Sequence, residues 1–322
     1  MKGEVYNQSQ CIISRVAFLY YIEEKSRAEI SEITGISAST ISRLLKRAKE
    51  EGMIQTSMTE PYLTCNRLET QLMLQYGLKR VIVVPVEEER EDNLDDIKKK
   101  VALEGARYVQ RIIRDGDVLG MAWGGTMYYL IQYLNPCRKV DANIITMHGS
   151  IADCDSKLAV KALVKRAAMA FGGKHVTISY PGLLGSSNQI NRLKQGSCKE
   201  MFSLFHEITI SVCGVGSAIP GRESLLFRTN YLTAEELEVI RQADVCSDLI
   251  LRFIDRNGKE CDTPLKERTL SIDLDVYRKI PCKIIAASGS FKAEAVTSLL
   301  RGGLVDVLII DLNMARNLIR SC

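Results

Sequence analysis

The hydrophobic and polar positions divide the chain into two parts with different periodicities. In the first part, apolar side chains recur every three or four residues, as at Ile41, Leu44, Leu45 and Ala48, which is the spacing of one helix face. From Arg80 onward, short apolar runs rich in β-branched residues alternate with helical stretches. Runs without polar alternation are typical of parallel strands buried on both faces. We therefore predict an N-terminal helical unit and a doubly wound, mostly parallel α/β domain.

The apolar runs predict eight strands in the second part. They span residues 81–84, 118–121, 144–147, 176–178, 208–212, 249–251, 283–286 and 305–310. A chain of 322 residues also exceeds the usual size of one hydrophobic core. We predict a DNA-binding domain over residues 1–57, a linker helix over 58–78 and a ligand-binding domain over 79–322.

The N-terminal part has two helix starts that lie eleven residues apart. Ser26 with Glu29 forms a capping box, and Ser37 is a second N-cap. Gly35 between them favours a left-handed turn that ends the first helix. Two short helices joined by a glycine turn predict a helix-turn-helix.

Further positions complete this helical unit. An upstream helix buries Ile13, Val16, Ala17 and Tyr20, and the helix-turn-helix directs Ile30, Ile33 and Ile36 inward. The segment 53–56 after Gly52 is predicted to form a short strand. Together these elements predict a winged-helix-like domain.

The polar face of the second helix carries short hydroxyl side chains near its N-terminus and cations after them. This order suits a helix that enters the major groove by its N-terminal end while cations meet phosphates. The predicted DNA-binding residues are Ser37, Ser39, Thr40, Ser42, Arg43, Lys46 and Arg47. A basic helical hairpin with a merely solvated face, or one used only for oligomerisation, would have similar spacing.

Composition restricts the remaining functions. The net charge is only +4, but residues 38–49 hold four basic residues and no acidic one, so the positive charge is local. The ten cysteines include no CxxC pair and the three histidines are dispersed, so we expect no metal site and no cofactor. No apolar run approaches the roughly 20 residues that span a bilayer, and residues 1–8 lack a signal core, which predicts a cytoplasmic protein.

Four loops that follow predicted strands are rich in glycine. They span residues 122–126, 148–150, 214–217 and 287–292. In parallel sheets, ligands bind beyond the carboxyl ends of the strands, so these loops are expected to converge on one pocket. The first loop offers backbone amides and the Thr126 hydroxyl at a helix start, which favours phosphate. GxGxxG, Walker and GxSxG motifs are absent, which favours a small phosphorylated ligand.

Several segments, taken in order, resemble the SorC family of sugar-binding transcriptional regulators. They are residues 40–47, 116–124, 248–255 and 292–295, and 300–303 leading to a strand that ends at Asp311. The resemblance spans about residues 10 to 320. It implies a homotetramer that binds operator DNA, with a C-terminal domain similar in fold to sugar-phosphate isomerases and deaminases. That domain would bind a sugar or sugar phosphate, control operator affinity and support oligomerisation.

The resemblance also implies the positions of the effector contacts. These are Trp123, Gly124, Gly125, Thr126, Gly149, Asp248 and Lys292. Many members have glycine where this chain has Ser150, Ser247 and the serines of 288–290, so extra side chains surround the pocket. A free and a phosphorylated sugar both remain open. The rival hypothesis is a sugar-phosphate isomerase or deaminase, with His148 and Asp248 as proton carriers, although no catalytic constellation is visible beside them.

Overall fold

A computed structural model describes residues 9–151, 154–219, 224–228 and 231–320. The chain divides into two compact units, residues 1–59 and 60–322, which we call the N-terminal and C-terminal units. Residues 1–8, on which the expectation about a signal core rests, lie outside the described residues.

The N-terminal unit consists of three helices over the part of it that is described. They are α1 (Gln10–Tyr21), α2 (Arg27–Thr34) and α3 (Ala38–Glu50). Their shared core contains Ile13, Val16, Ile30, Ile41 and Leu44, each fully buried. The core packs at helical spacing, as the apolar pattern predicts.

The predicted capping bonds of this unit are present. The Glu29 N–H donates to Ser26 Oγ at 3.3 Å, and the Ser26 N–H donates to Glu29 Oε2 at 2.7 Å. Ser37 Oγ accepts from the Thr40 N–H at 3.3 Å, and Gly35 takes a left-handed φ of 67°. These bonds satisfy the free amides of the two helix starts, so the helix-turn-helix is confirmed.

Two details of the predicted N-terminal unit are wrong. The described residues of 53–56 form no strand, because Met53 and Ile54 pack against the helical core instead of extending away from it. Residues 9–59 of this unit therefore contain no wing. Ile33 is 52% exposed, since on an eight-residue helix that buries Ile30 it falls on the solvent side, and the turn at Gly35 returns Ile36 to the core.

The C-terminal unit begins with α4 (Tyr62–Tyr76). This helix was predicted as a linker, but it belongs to the C-terminal unit. Cys65 and Leu72 on it are buried in the main core of that unit, and Glu69 Oε1 accepts from the Val83 N–H at 2.9 Å. Burial of apolar side chains fixes it to the sheet.

A seven-stranded parallel sheet forms the centre of this unit, in the order β1-β10-β9-β5-β2-β3-β4. The strands are β1 (Arg80–Val84), β2 (Val118–Met121), β3 (Asn143–Thr146), β4 (Lys174–Val176), β5 (Ile210–Cys213), β9 (Cys282–Ala287) and β10 (Val307–Asp311). From β2 the chain moves outward through β3 and β4, and from β5 it moves the other way through β9 and β10. The order therefore reverses between β2 and β5, as in a doubly wound fold.

A second, three-stranded antiparallel sheet consists of β6 (Gly216–Ser217), β7 (Ser247–Leu249) and β8 (Arg252–Ile254). The apolar run 249–251 was predicted as a strand of the main sheet, which is wrong. Ile250 and Leu251 instead form the tight turn between β7 and β8, with φ of 52° and 64°. A turn of this type needs two positive φ angles, which usually require Asn or Gly, so residues 249–251 contain no local signal for a turn. Burial of both side chains stabilises it.

The remaining helices connect the strands of both sheets. They are α5 (Leu94–Ile112), α6 (Gly125–Gln132), α7 (Val160–Phe171), α8 (Ser187–Gln195), α9 (Lys199–Leu204), α10 (Leu225–Arg228), α11 (Ala234–Gln242), α12 (Pro264–Arg268), α13 (Leu274–Arg278), α14 (Ala293–Arg301) and α15 (Leu312–Arg320). Within the described ranges, no helix is both long and apolar enough to cross a membrane.

Candidate DNA interface and effector pocket

The outward face of α3 carries the residues predicted to contact DNA. Ser37, Ser39, Arg43 and Lys46 are exposed, and Thr40, Ser42 and Arg47 are half-buried. The face begins at the capped end of the helix, where the Ser37 hydroxyl contacts the hydroxyls of Ser39 at 3.1 Å and Thr40 at 3.0 Å. The hydroxyl cluster and the cations thus occupy one continuous surface.

The three cations of this face differ in their partners. Lys46 lies 3.6 Å from Glu50, and Arg47 forms an ion pair with Glu51. Arg43 instead donates from Nη2 to the neutral Thr40 hydroxyl at 3.2 Å. Since no carboxylate offsets its charge in these contacts, Arg43 is the cation best prepared to bind a base edge.

In the C-terminal unit, the loops after β2, β5 and β9 meet at the point where the strand order reverses. These three strands are neighbours in the sheet, so their carboxyl ends lie side by side. The hairpin between β7 and β8 adds Asp248 and Ile250. The resulting pocket is lined by residues 122–126, 214–216 and 224–226, with Asp248, Ile250 and Lys292.

Glycine shapes the wall of the pocket after β2. Gly124 has φ 115°, a conformation that side chains rarely adopt, and it places Gly125 as the first residue of α6. The first hydrogen bond within α6 runs from the Tyr128 N–H to the Gly124 carbonyl at 2.8 Å. Earlier amides in the turn have no carbonyl partner within the helix, so they are available to an anion.

His148 fixes this loop from behind. Its ring is fully buried, and its pKa is lowered to about 4 by burial, so it is neutral at physiological pH. Nδ1–H donates to the Gly149 carbonyl at 2.7 Å, and Nε2 accepts from the Trp123 N–H at 3.2 Å. Both ring nitrogens therefore bind backbone groups, and neither is left to transfer a proton to a ligand.

Asp248 supplies the buried acid of the pocket. It is 5% exposed, and burial raises its pKa to about 7, although the Leu251 N–H and the charge of Lys292 act in the opposite direction. Its Oδ1 has no hydrogen-bond partner among the described residues. Gly216, opposite it in the β6–β7 pair, leaves room for this carboxylate, since a Cβ there would lie 3.0 Å from Asp248 Oδ2, a tight contact.

Lys292 crosses the pocket from the loop after β9. Its ammonium group donates to the Val215 carbonyl at 3.0 Å, and burial lowers its pKa to about 8. The loop that carries it is held by two acids: Asp311 Oδ2 accepts from the Gly289 N–H at 2.9 Å, and Glu89 Oε2 accepts from the Ser290 N–H at 2.6 Å. Lys292 is therefore rigidly placed and only partly hydrated.

Comparison with known proteins connects this fold to one family. The family model described as "Putative sugar-binding domain" matches residues 60–320, most of the chain. The chain belongs to the SorC family of sugar-binding transcriptional regulators. Residues 13–51 match the model of sigma-70 region 4, in agreement with the wingless helical unit.

Individual relatives of this SorC-family chain extend over almost its whole length. It is 28% identical to the deoxyribonucleoside regulator of Bacillus subtilis over 318 residues, covering 98% of this chain and 99% of that protein. It is 28% identical to the sorbitol operon regulator of Klebsiella pneumoniae over 315 residues, covering 96% and 98%. The crystal structure of the full-length Klebsiella regulator superposes with a TM-score of 0.73, at 27% identity and 95% and 98% coverage. These relatives are regulators and not enzymes.

The pocket brings together six of the seven effector residues implied by the family resemblance. Trp123, Gly124, Gly125, Thr126, Asp248 and Lys292 all line it. Gly149 does not. A Cβ on Gly149 would lie 2.6 Å from the Pro181 carbonyl group, so the absence of a side chain serves close backbone packing there.

A wider groove of about 810 Å³ lies elsewhere in the C-terminal unit, around Lys194, Arg252 and Asp273. Arg252 is 4% exposed, and its guanidinium donates five hydrogen bonds, to Glu260, to Asp273 and to three backbone carbonyls. All five N–H groups of its side chain therefore already have acceptors within the protein. The groove is therefore a structural ion-pair site, whereas the smaller pocket holds Asp248 Oδ1, which has no hydrogen-bond partner among the described residues.

Proposed function

We propose that the C-terminal unit binds a sugar or sugar phosphate in the pocket around Asp248 and Lys292. Occupation of the pocket would change the affinity of the helix-turn-helix for operator DNA and so control genes of carbohydrate uptake or catabolism. The observation that carries this proposal is the buried Asp248 Oδ1, which has no hydrogen-bond partner in the described ranges and lies in the same pocket as the half-buried Lys292. A sugar hydroxyl would supply the missing donor.

The names of the relatives support the chemical class of the ligand. One is a deoxyribonucleoside regulator and another a sorbitol operon regulator, and both names refer to small compounds that carry hydroxyl groups. The amides at the start of α6 favour an anionic group on such a compound. We infer that a hydroxyl group of the ligand binds Asp248. If the ligand is phosphorylated, its phosphate binds the backbone amides of residues 124–126.

Regulation would follow from unequal binding to two states of the protein. An effector shifts operator occupancy only if its affinities for the DNA-competent and DNA-incompetent states differ, and the shift is limited by that difference. We further propose a homotetramer, as the family resemblance implies, in which the assembly sets the spacing of the paired helix-turn-helix units.

The proposal is tested by fluorescence anisotropy with duplexes from the upstream region of the chain's own operon. Candidate ligands are first ranked by thermal shift, since a ligand at 100 times its Kd stabilises the native state by about 2.7 kcal/mol. We expect at least one sugar or sugar phosphate to raise Tm and to change DNA affinity tenfold or more. If no such compound changes either quantity, the proposal is wrong.

Replacement of Gly125 by alanine tests the wall of the pocket. Gly125 has no positive φ, and the nearest atoms that an added Cβ would meet belong to Lys98, at 3.7 Å or more, so the fold tolerates the methyl group. We expect stability to stay equal or rise by about 0.5–1 kcal/mol, since alanine favours the helix. The methyl group would occupy the space of the ligand, and we expect effector affinity to fall at least tenfold.

Gly124→Ala is the matched comparison for this experiment. Nothing lies within 4 Å of its Cβ position, but φ is 115°, so the cost comes from backbone strain alone. We expect Gly124→Ala to lower the free energy of unfolding by about 1–2 kcal/mol, as measured by urea denaturation. Equal effects of the two substitutions on stability and on ligand binding would contradict the assigned geometry.

A further inference from the structure

Lys98 lies beside the pocket on a different element from the lining residues. It stands in the second turn of α5, and its side chain extends along Gly125 at the start of α6. A Cβ on Gly125 would lie 3.7 Å from Lys98 Cδ and 3.9 Å from Lys98 Nζ. Lys98 therefore reaches the same helix start that forms one wall of the pocket.

The nearest carboxylate does not neutralise this lysine fully. Asp95 lies 3.4 Å from Lys98 Nζ, but it also binds Lys99 Nζ at 3.0 Å and accepts from the Tyr129 hydroxyl at 2.8 Å. Lys99 Nζ also binds Asp96 at 3.0 Å, so Lys99 has two carboxylate partners. Lys98 has the longer contact to Asp95 and no second carboxylate partner among the described residues, so its charge is the less fully paired of the two.

The charge of Lys98 acts on Lys292 inside the pocket. Burial and then the charge of Lys98 lower the pKa of Lys292, and the charge of Asp248 acts in the opposite direction. Asp248 itself has a pKa raised to about 7, so it is only partly ionised at neutral pH. The charges of Lys98 and Lys292 therefore repel each other with an incomplete negative counterpart, an arrangement that an anionic ligand would relieve.

We propose that Lys98 is a second cation of the effector site, and that it shares the anionic group of the effector with Lys292 across the Gly124–Gly125 turn. This inference rests on the proposed function and sharpens it. A dianionic phosphate monoester satisfies both ammonium groups and the amides of α6, whereas a neutral sugar leaves the cation pair uncompensated. Lys98 thus makes the pocket selective for the phosphorylated form.

The test compares Lys98→Gln with Lys100→Gln in the full-length chain. Lys100 is an exposed lysine two residues away on the same helix, so the control removes an equal charge. Inorganic phosphate is the probe, titrated calorimetrically at pH 7.5. We expect Lys98→Gln to weaken phosphate binding about tenfold or more, as for loss of one charge-assisted bond, and Lys100→Gln to change it less than twofold. Lys98→Arg should retain most of the affinity.

A second measurement separates a charge effect from a structural one. The pKa of Lys292 is followed by NMR after ¹³C-methylation of the lysines, without ligand. Loss of the like charge in Lys98→Gln should raise the pKa of Lys292, and Lys100→Gln should leave it unchanged. A purely structural role of Lys98 would not produce this difference.

The outcomes distinguish this inference from the proposed function. If Lys292→Gln loses phosphate binding while Lys98→Gln keeps it and the pKa of Lys292 does not move, Lys98 is not part of the site but the proposed function stands. The same holds if an unphosphorylated sugar binds both the wild type and Lys98→Gln equally and changes DNA affinity. If phosphate, sugars and sugar phosphates all fail to bind the wild type, both proposals are wrong.

Discussion

Replacing Arg43 by alanine is expected to lower the affinity for the chain's own operator about 5- to 150-fold and to relax its preference at one base position. Arg43 is exposed on α3, and among the described residues its side chain hydrogen-bonds only to the Thr40 hydroxyl. Its guanidinium can therefore turn to the edge of a guanine without breaking an ion pair. A good bidentate contact of this kind contributes about 1–3 kcal/mol of discrimination.

Lys46 should behave differently on the same face. It is exposed and lies near Glu50, further along the helix from the capped end. We expect Lys46→Ala to weaken binding uniformly across DNA sequences and to reduce the slope of log affinity against log salt by about 1. A uniform loss of affinity with a smaller salt dependence is the response expected when a lysine that binds a DNA phosphate is removed.

Lys49→Ala is the matched control for both substitutions. It removes one positive charge from the same helix, but its ammonium group lies over the Tyr21 ring, 5.5 Å from the ring centre. Anisotropy titrations at several salt concentrations, with operator and with scrambled duplexes, measure all three variants. If Arg43→Ala and Lys49→Ala reduce affinity equally for both kinds of duplex, Arg43 does not read a base.

Replacing Asp248 by asparagine is expected to stabilise the ligand-free protein and to abolish its response to effector. In the folded state burial raises the pKa of Asp248 to about 7, against an ordinary value of 3.8. Folding therefore favours the protonated acid, and the cost of the buried charge grows as pH rises from about 4 to about 7. We expect the free energy of unfolding of Asp248→Asn to exceed that of the wild type by on the order of 2–4 kcal/mol at pH 8, and the difference to become small near pH 4.

The same substitution removes the acceptor proposed to bind a sugar hydroxyl. The variant should thus keep its DNA affinity but lose the tenfold effector response. The contribution of His148 cancels in the difference between wild type and variant, because Asp248 does not affect its pKa. The contribution of Lys292 does not cancel, because the charge of Asp248 raises its pKa, and it opposes part of the gain near pH 8. Urea denaturation at pH 4, 6 and 8, together with anisotropy in the presence of the best ligand, measures both effects.

Asp262→Asn serves as the control, because the Asp262 side chain is fully exposed. It should change stability by less than about 0.5 kcal/mol at every pH. A destabilised Asp248→Asn at pH 8, or one that still responds fully to effector, would refute the role assigned to Asp248.

Local signals were sufficient for the helix-turn-helix. The caps at Ser26 and Ser37 and the turn at Gly35 act within three or four residues, so their bonds follow from sequence alone. The predictions of a wing and of a buried Ile33 were wrong. Both depend on how many side chains the small helical core can accommodate, and no local sequence pattern contains that information.

The parallel sheet was equally visible, since strands buried on both faces have continuous apolar runs. Its strand order also explains why the loops after β2, β5 and β9 meet. The turn at Ile250–Leu251 was missed because its positive φ angles are maintained by burial rather than by turn residues. That turn places Ile250 in the lining of the pocket. Its Leu251 N–H donates a hydrogen bond to Asp248.

The sequence by itself determined the two kinds of architecture, the capped DNA-reading helix and the identity of most residues that line the pocket, because periodicity, caps and strand-end glycines are local. Only the tertiary structure decided which charges act on one another. Within the described part of the chain, it provides no carboxylate partner for Arg43 and no hydrogen-bond partner for Asp248 Oδ1. It also bonds both nitrogens of His148 to backbone groups and brings Lys98 beside Gly125. These facts depend on contacts between elements distant in sequence, where burial and Coulomb interactions set the chemistry of each group.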